Sequence, residues 1–281
     1  MTMSLAEDYR ALRDGAAFVR VGREAIRVAG PDAFDYLQGQ LSQDLAVLEA
    51  GASTWSLLLQ PQGKVDALLR VTRTDDTSFL LDVDAGWGQP VVARLQRFKL
   101  RVKAEIGSEP WDRVRILGDG AMTGIAYEWA PLHGADVAPA GSAIEASIDA
   151  WEVLRIEAGV PLLGAELTER TIPAEVETVV ARGVSFTKGC FTGQELVARI
   201  DARGGNVPRH LRRLVVDGPV PSPGEAIVVA DREVGAITSA AQHPDGHVVA
   251  LGFVRRDVAA PADAALAGGG VARIEPLALL S

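Results

Sequence analysis

A glycine-rich break near residue 205 most constrains the fold of this chain. Residues 203–208 read Arg-Gly-Gly-Asn-Val-Pro, and paired glycines followed by proline interrupt both helices and strands. Four short apolar runs follow, separated by glycine, proline and aspartate turns. They are residues 214–216, 227–230, 234–239 and 248–254. Regular short strands predict a small barrel or sandwich over 206–281. We expect the Ala/Gly/Pro-rich tail, 259–270, to be partly mobile.

The region before the break mixes strand and helix patterns. Strand-like runs at 54–59, 65–73 and 79–83 precede a helical repeat at 89–98, which predicts an antiparallel sheet with a helix on one face. Residues 16–29 alternate as paired strands do. Further helices are expected at 31–38, 42–45 and 150–157, and strands at 102–106 and 114–117. Residues 118–146 fit no pattern, and 162–181 resemble a loop.

Composition limits the class of protein. The 281 residues are 48% hydrophobic and 23% charged, typical of a soluble protein with two or three units. No run approaches the roughly 18 apolar residues of a membrane span. The polar N-terminus lacks the apolar core of a signal peptide, and the chain has a single cysteine. We therefore expect a cytoplasmic protein, and nothing demands more than a monomer.

Charge and histidine content narrow the binding partners. The net charge of −9 argues against direct nucleic-acid binding. Basic runs at 94–103 and 209–213 favour solvated faces over anion sites. His243 and His247 flank a Pro-Asp-Gly turn and should face each other across a hairpin. Two ligands alone make a poor metal site, so we expect no bound metal.

The only cysteine, Cys190, lies in the most informative stretch, residues 184–195. Thr192 and Glu195 have the spacing of a capping box, which predicts a helix starting just after Cys190. The dipole of that helix and the nearby Lys188 ammonium would favour a thiolate. A small buried hydrophobic residue is the alternative interpretation of Cys190.

Residues 188–195, Lys-Gly-Cys-Phe-Thr-Gly-Gln-Glu, closely resemble the signature of the YgfZ family of folate-binding proteins. That family usually has tyrosine where this chain has Phe191. Other similar segments follow the family order and bring the coverage to about residues 30 to 205. They are residues 36–44, 60–64, 155–161 and 167–169.

The resemblance implies an α+β fold related to the T-protein, the aminomethyltransferase of the glycine cleavage system. That fold is a three-part ring around a folate channel, made of a Greek-key β domain, a ferredoxin-like α/β domain and a C-terminal β-barrel. On this basis the first two domains interleave within 1–205, with the ferredoxin-like part at about 50–110. The barrel occupies 206–281.

The resemblance also implies a function. The chain is expected to bind tetrahydrofolate or a derivative and to support iron–sulfur cluster assembly or repair, and thereby tRNA thiomethylation, with Cys190 reactive. Its partners would be the assembly machinery or cluster-containing client enzymes, since one cysteine cannot ligate a cluster in the usual four-thiolate manner. Two alternatives stay open: a folate-dependent aminomethyl or one-carbon transferase, and a non-catalytic interaction module.

Candidate site residues follow from the matched segments. Glu157 could accept hydrogen bonds from the pterin edge, or be a surface glutamate paired with Arg155. Lys188 could hold a folate anion or act on the thiol. Arg155 and Gln194 complete the predicted cofactor-binding set, although Gln194 could simply start the helix. Asp66 is the acid/base candidate of the transferase alternative, against an ordinary strand aspartate. Aromatic partners for the pterin are Trp55, Trp151, Phe186 and Phe191.

Overall fold

The computed structural model describes residues 3–118, 124–139 and 144–277. Within them the chain forms two five-stranded sheets and a closed six-stranded barrel. The described residues therefore do not cover all of the segment 118–146, which fits no sequence pattern. They also leave out parts of the two predicted domains, 1–205 and 206–281. None of the helices in these ranges is both long enough and apolar enough to span a membrane.

Six α-helices occur in the described ranges. They are α1 (Leu5–Arg13), α2 (Ala33–Gln40), α3 (Gly88–Arg97), α4 (Ile148–Glu157), α5 (Glu177–Gly183) and α6 (Gln194–Asp201). Helix α1 begins with a capping box, in which Ser4 and Glu7 satisfy each other's backbone N–H groups. It buries Tyr9 and Leu12 in the main core.

Sixteen strands form the three assemblies among the described residues. They are β1 (Ala17–Val19), β2 (Arg23–Ala29), β3 (Ser53–Leu59), β4 (Val65–Asp75), β5 (Ser78–Asp84), β6 (Glu105–Glu109), β7 (Val114–Leu117), β8 (Ile125–Trp129), β9 (Leu132–Val137), β10 (Ile144–Glu145), β11 (Arg209–Asp217), β12 (Ala226–Val229), β13 (Arg232–Gln242), β14 (Val248–Arg255), β15 (Ala262–Leu266) and β16 (Val271–Glu275). The first sheet has the order β10-β1-β7-β9-β8, the second β3-β4-β5-β2-β6, and the barrel β11-β14-β13-β12-β15-β16.

Strands β1 and β2 confirm the strand pattern at 16–29 but not its pairing. Strand β1 pairs with β7 and β10 in the first sheet, whereas β2 pairs with β5 and β6 in the second. Residues 20–22 between them contain no turn, so the chain continues from one sheet into the other instead of folding back. This crossing interleaves the two N-terminal sheets.

The second sheet carries α3, as the pattern from 54 to 98 predicts, and it also carries α2, which contacts β5. The short helix expected at 42–45 is absent, because Ser42 Oγ accepts from Leu57 N–H and donates to the Gly183 carbonyl. The strand expected at 102–106 begins at 105 instead. Lys103 exchanges backbone and side-chain hydrogen bonds with Asp32 at the start of α2, which holds it off the sheet.

The segment 162–181 is not the expected loop. It contains a single 3₁₀ turn, Pro173–Glu175, and most of α5, which packs on β3. Val176, Val179 and Val180 have the apolar spacing of a helix, and this spacing could have predicted α5 from the sequence.

The C-terminal unit is a closed barrel and not a sandwich, the other form that the sequence pattern allowed. Strand β15 lies in the tail expected to be mobile, yet it pairs with both β12 and β16. Strand β16 in turn pairs with β11, and this closes the barrel. Without β15 the barrel would have two open edges, so the tail is needed for closure. Helix α4 packs on β13 and β14 and joins the barrel to the main core.

Candidate functional site

Lys188 helps to hold the loop of residues 185–193, here called the signature loop, to the end of α2. The Lys188 ammonium donates to the carbonyls of Gln38 and Leu41, each at 2.7 Å, and of Gln43 at 2.9 Å. Burial lowers the pKa of Lys188 to about 8, against the opposing attraction of Asp44. These carbonyls lie at and just after the C-terminus of α2, where a cation is favoured. Lys188 therefore anchors the loop, and its three N–H groups are already engaged.

The Cys190 side chain is exposed. The alternative interpretation of a buried hydrophobic residue is therefore wrong. A thiol that solvent can reach, on a loop anchored by its neighbour, is sterically available to a second molecule. Its chemical reactivity stays a prediction.

Helix α6 begins at Gln194, but the predicted capping box is wrong. Thr192 is turned away, and its backbone N–H donates to the Gly39 carbonyl at 3.0 Å, while Glu195 is exposed. The N-cap is Gly193, in the left-handed conformation with φ 83° and no side-chain cap. Gln194 braces the loop by accepting from Phe191 N–H at 3.0 Å.

The turn of residues 60–64 explains the conformation of Gly193. A Cβ on Gly193 would lie 2.5 Å from the Gln60 carbonyl oxygen and 3.2 Å from the Cα of Gly63. Side-chain capping at this position is excluded because the backbone must approach the turn so closely. The structure thus assembles three of the matched segments, 36–44, 60–64 and 188–195, at one place.

Asp66 is linked to this assembly through an arginine. Its Oδ2 accepts from Arg94 Nε at 2.9 Å, and the Arg94 guanidinium also donates to the Leu59 carbonyl at 2.9 Å and to Gln40 Oε1 at 3.3 Å. Asp66 lines a cavity of about 150 Å³ together with Trp87 and Glu169. An acid/base role for Asp66 stays a prediction.

Glu157 points toward the barrel. Its Oε2 accepts from Tyr9 Oη at 2.8 Å, and its Oε1 lies 3.4 Å from Nε2 of His243. Burial, together with Glu157, raises the pKa of Tyr9 to about 12. His243 stacks on His247 with ring centroids 4.3 Å apart, which confirms their predicted placement across a hairpin. No metal-binding group of three or more His, Cys, Asp or Glu occurs in the described part of the chain.

The expected pairing of Glu157 with Arg155 is wrong, because residues two apart on a helix face different directions. Arg155 is buried and makes bidentate hydrogen bonds to Glu152 at 2.7 to 3.1 Å. It also donates to the Val160 carbonyl at 2.7 Å. Glu166 lies 3.6 Å from Arg155 and accepts from Ser239 of the barrel at 2.6 Å. Arg155 thus helps to join α4 to the barrel.

A buried ionic network fills the space between the two N-terminal sheets. Arg70 bridges Asp82 at 2.9 Å and Asp136 at 2.5 Å, while Arg23 contacts Asp82 and Arg115 contacts Asp136. Arg115 and Arg70 hold the pKa of Asp136 at about 2, although burial of the carboxylate acts to raise it. The cavity left beside this network measures about 20 Å³. Its lining includes Arg155, Trp55, Trp151 and the Tyr127 hydroxyl, which has no hydrogen-bond partner.

A larger cavity of about 520 Å³ opens on the other side of Trp55. Arg70, Glu128 and Arg182 line it. Arg182 donates to the Thr178 and Ala130 carbonyls, but its buried Nε has no partner. Burial lowers the pKa of Arg182. Sequence reasoning named only Trp55 here. Strand alternation from Asp66 could have indicated Arg70, whereas nothing local indicated Arg182 or Glu128.

The predicted site residues fall into two groups. Cys190, Lys188, Gln194 and Asp66 gather around the end of α2, and Glu157 and Arg155 face the barrel and the centre. Of the aromatic candidates, Phe191 lies under Lys188, Phe186 is 50% exposed, and Trp55 and Trp151 line the inner cavities. The arginines at 209–213 pair with acidic residues, so this basic run is not an open anion site.

Comparisons with known proteins give the relatives of the chain. No protein-family model matches it. An uncharacterized protein of Haemophilus influenzae is 31% identical over 191 residues, which cover 65% of this chain and 68% of the relative. The tRNA-modifying protein YgfZ of Edwardsiella ictaluri is 31% identical over 220 residues, 64% of this chain and 65% of that protein. The alignments thus span only about two thirds of these relatives.

The fold has a solved counterpart. The glycine cleavage system aminomethyltransferase T from Bartonella henselae superposes with a TM-score of 0.81 over 98% of this chain and 89% of that one. The sequences are 20% identical, so this likeness concerns the fold alone. It confirms the predicted fold class, with mixed helices and sheets and a closed barrel.

Proposed function

This chain belongs to the YgfZ family, which is related to aminomethyltransferase T, and on that premise we propose that it is a folate-binding accessory protein for iron–sulfur cluster assembly or repair. Through a cluster-containing client enzyme it would support tRNA thiomethylation. Its reactive group would be Cys190. We place this activity in the cytoplasm, where a lone thiol stays reduced.

The exposure of Cys190 carries this proposal. The signature loop is anchored by Lys188, yet its thiol faces solvent and not a closed cavity. Such a thiol is better placed to contact a cluster carried by a partner protein than to react with a small substrate in an enclosed site. A cluster usually takes four thiolate ligands, so Cys190 would supply one and the client or the assembly machinery would supply the others.

The folate part of the proposal requires a site of suitable size and chemistry. The cavity of about 20 Å³ at the centre is smaller than one water molecule's share of the liquid, so a pterin does not fit there. The 520 Å³ cavity lies in the range of small-molecule sites. It combines an aromatic wall, a carboxylate and an arginine with an unpartnered Nε. These residues fit a folate.

Three side chains would hold tetrahydrofolate in that cavity. Trp55, which is 7% exposed and packs edge-to-face on Tyr127 and Trp129, would give the flat ring an apolar wall to lie against. The Glu128 carboxylate can accept hydrogen bonds from the N–H groups of a pterin edge. Arg182 can pair with the anionic glutamate tail. Bound tetrahydrofolate would supply a carrier for one-carbon units.

Complementation tests the proposal. A strain lacking the homologous YgfZ protein would receive the wild-type chain, Cys190→Ser, or Thr187→Ala as a control in the same exposed loop. We expect the wild type and Thr187→Ala to restore tRNA thiomethylation, measured by mass spectrometry of tRNA nucleosides, and Cys190→Ser to restore less than a tenth. Full rescue by Cys190→Ser would remove the thiol from the mechanism.

A further inference from the structure

The largest of the cavities described is a groove of about 670 Å³ beside the signature loop, between α5, α6 and the barrel. We call it the α5–α6 groove and define it by six of its lining residues. These are Val180, Phe186, Val197, Ile200, Arg203 and Arg256. None of the functions discussed above uses this groove.

The floor of the groove is apolar. Val197 and Ile200 lie on its inner side, and Phe186 projects into it with half of its surface exposed. Aromatic residues are enriched in protein–protein interfaces, where they bury a large area with little loss of conformational freedom. An exposed phenylalanine on this floor favours an apolar occupant.

The rim of the groove is basic in an otherwise acidic protein. Arg203 and Arg256 are exposed and form no ion pair with any described residue. Of the acids in the lining, Glu177 lies 2.9 Å from His210 and 3.6 Å from Arg212, which leaves Asp201 without such a partner. The chain has a net charge of −9, so this rim is where an acidic partner meets attraction instead of repulsion.

Position links the groove to the thiol. Phe186 and Cys190 belong to the same signature loop, and that loop is bonded to the α2 region through Ser185 and Lys188. A partner that covers Phe186 therefore contacts the loop that presents Cys190.

We propose that the α5–α6 groove docks an acidic segment with apolar anchors from the client protein and so brings the client to Cys190. This inference rests on the proposed accessory function and names the chemistry of its partner. The apolar anchors would cover Phe186, Val197 and Ile200, and the acidic residues would pair with Arg203 and Arg256. Opposite charges at the rim would mainly speed association and select the partner.

The test uses a phage-displayed library of random twelve-residue peptides as the probe. Peptides are selected on the full wild-type chain, with counter-selection on Arg203→Glu/Arg256→Glu. We expect enriched peptides to combine acidic with apolar residues. The enriched peptide that binds most tightly is synthesised with a fluorescent label, and its dissociation constant is measured by fluorescence anisotropy.

Matched variants make the result specific. Arg199→Glu/Arg273→Glu changes the charge equally at exposed positions outside the groove, one of them on α6 itself. We expect peptide affinity to fall at least tenfold in the rim variant and in Phe186→Ser, and less than twofold in the control. Each variant is first checked for an unchanged melting temperature. Peptide binding should also weaken as salt increases.

Several results would overturn the proposal. These are a failure to enrich any peptide, enriched peptides without acidic residues, or an equal effect of rim and control variants. Saturable binding of anilinonaphthalene sulfonate at the groove, with no peptide binding, would instead indicate a small amphipathic anion. A dimer seen in sedimentation and lost in the rim variant would indicate a second copy of this chain. Peptide binding does not require the thiol, so its failure is distinguishable from failure of the Cys190→Ser complementation.

Discussion

Gly63 and Gly193 pack backbone against backbone, with the Cα of Gly63 3.2 Å from the position of a Cβ on Gly193. Both have positive φ, 81° and 83°. This contact joins the turn after β3 to the start of α6 and fixes where the signature loop begins its helix. The two glycines are 130 residues apart in the sequence.

Gly193→Ala should destabilise the protein and displace the loop. Alanine disfavours the left-handed conformation, and its Cβ would lie 2.5 Å from the Gln60 carbonyl oxygen. We expect a loss of at least about 2 kcal/mol in the free energy of unfolding, measured with urea. Gly189→Ala is the control, because its Cβ would meet nothing within 4 Å, and it should change stability by less than about 0.5 kcal/mol. Equal effects at the two positions would refute the contact.

Lys188 should make stability depend on alkaline pH. Its pKa is about 8 when folded and 10.5 as its ordinary value, so between these values the unfolded chain holds more protons. Stability therefore rises with pH across that window. Lys188→Met lacks this titration, so the stability advantage of the wild type over the variant should grow from pH 8 to pH 10. A constant or shrinking difference in urea unfolding would contradict the lowered pKa.

Asp136 should govern acid stability. Its pKa of about 2 lies below the ordinary 3.8, so its contribution is complete above about pH 4 and is lost as pH falls toward 2. Asp136→Asn leaves Arg70 and Arg115 without this partner and should cost about 3–5 kcal/mol at pH 7. The exposed pair at Asp263 offers a control, since Asp263→Asn should cost less than about 1 kcal/mol. The difference in the free energy of unfolding between the wild type and Asp136→Asn should become smaller below pH 4. A difference that does not change with pH would argue against the ionic network.

Arg182→Gln should weaken tetrahydrofolate binding. The substitution removes the charge proposed to meet the glutamate tail and keeps much of the side-chain volume. We expect the dissociation constant from calorimetric titration to rise about tenfold or more, which corresponds to the loss of a charge-assisted hydrogen bond. Arg199→Gln, on the surface of α6, should leave it unchanged. Unaltered binding in Arg182→Gln would show that folate does not bind in the 520 Å³ cavity. Absence of tetrahydrofolate binding to the wild type would favour the non-catalytic interaction module.

Local patterns in the sequence predicted most elements well. The strands from 53 to 84 and helix α3 follow from short apolar runs and from helical spacing, because the strands are buried over most of their length and the helix buries one face. The capping box failed for a nonlocal reason. Thr192 and Glu195 have suitable spacing, but the approach of the 60–64 turn required a glycine cap and turned Thr192 toward Gly39.

The site residues show the same division. The sequence identified Cys190 and Lys188 from one short motif, yet it could not assign the ammonium to the carbonyls of Gln38, Leu41 and Gln43. Arg182 lies in a segment without any motif. It became a candidate only when folding left its Nε buried and unpartnered beside a cavity.

The sequence by itself determined the family resemblance, the run of short strands after the break at 203–208 and the residue types of the cysteine loop, because these depend on residue type and short-range spacing. Only the tertiary structure decided that the centre between the sheets is filled by Arg23, Arg70 and Arg115 with their aspartates, and that Glu157 faces the barrel. Burial and ion pairing depend on which distant segments meet, and that is settled when the whole chain packs.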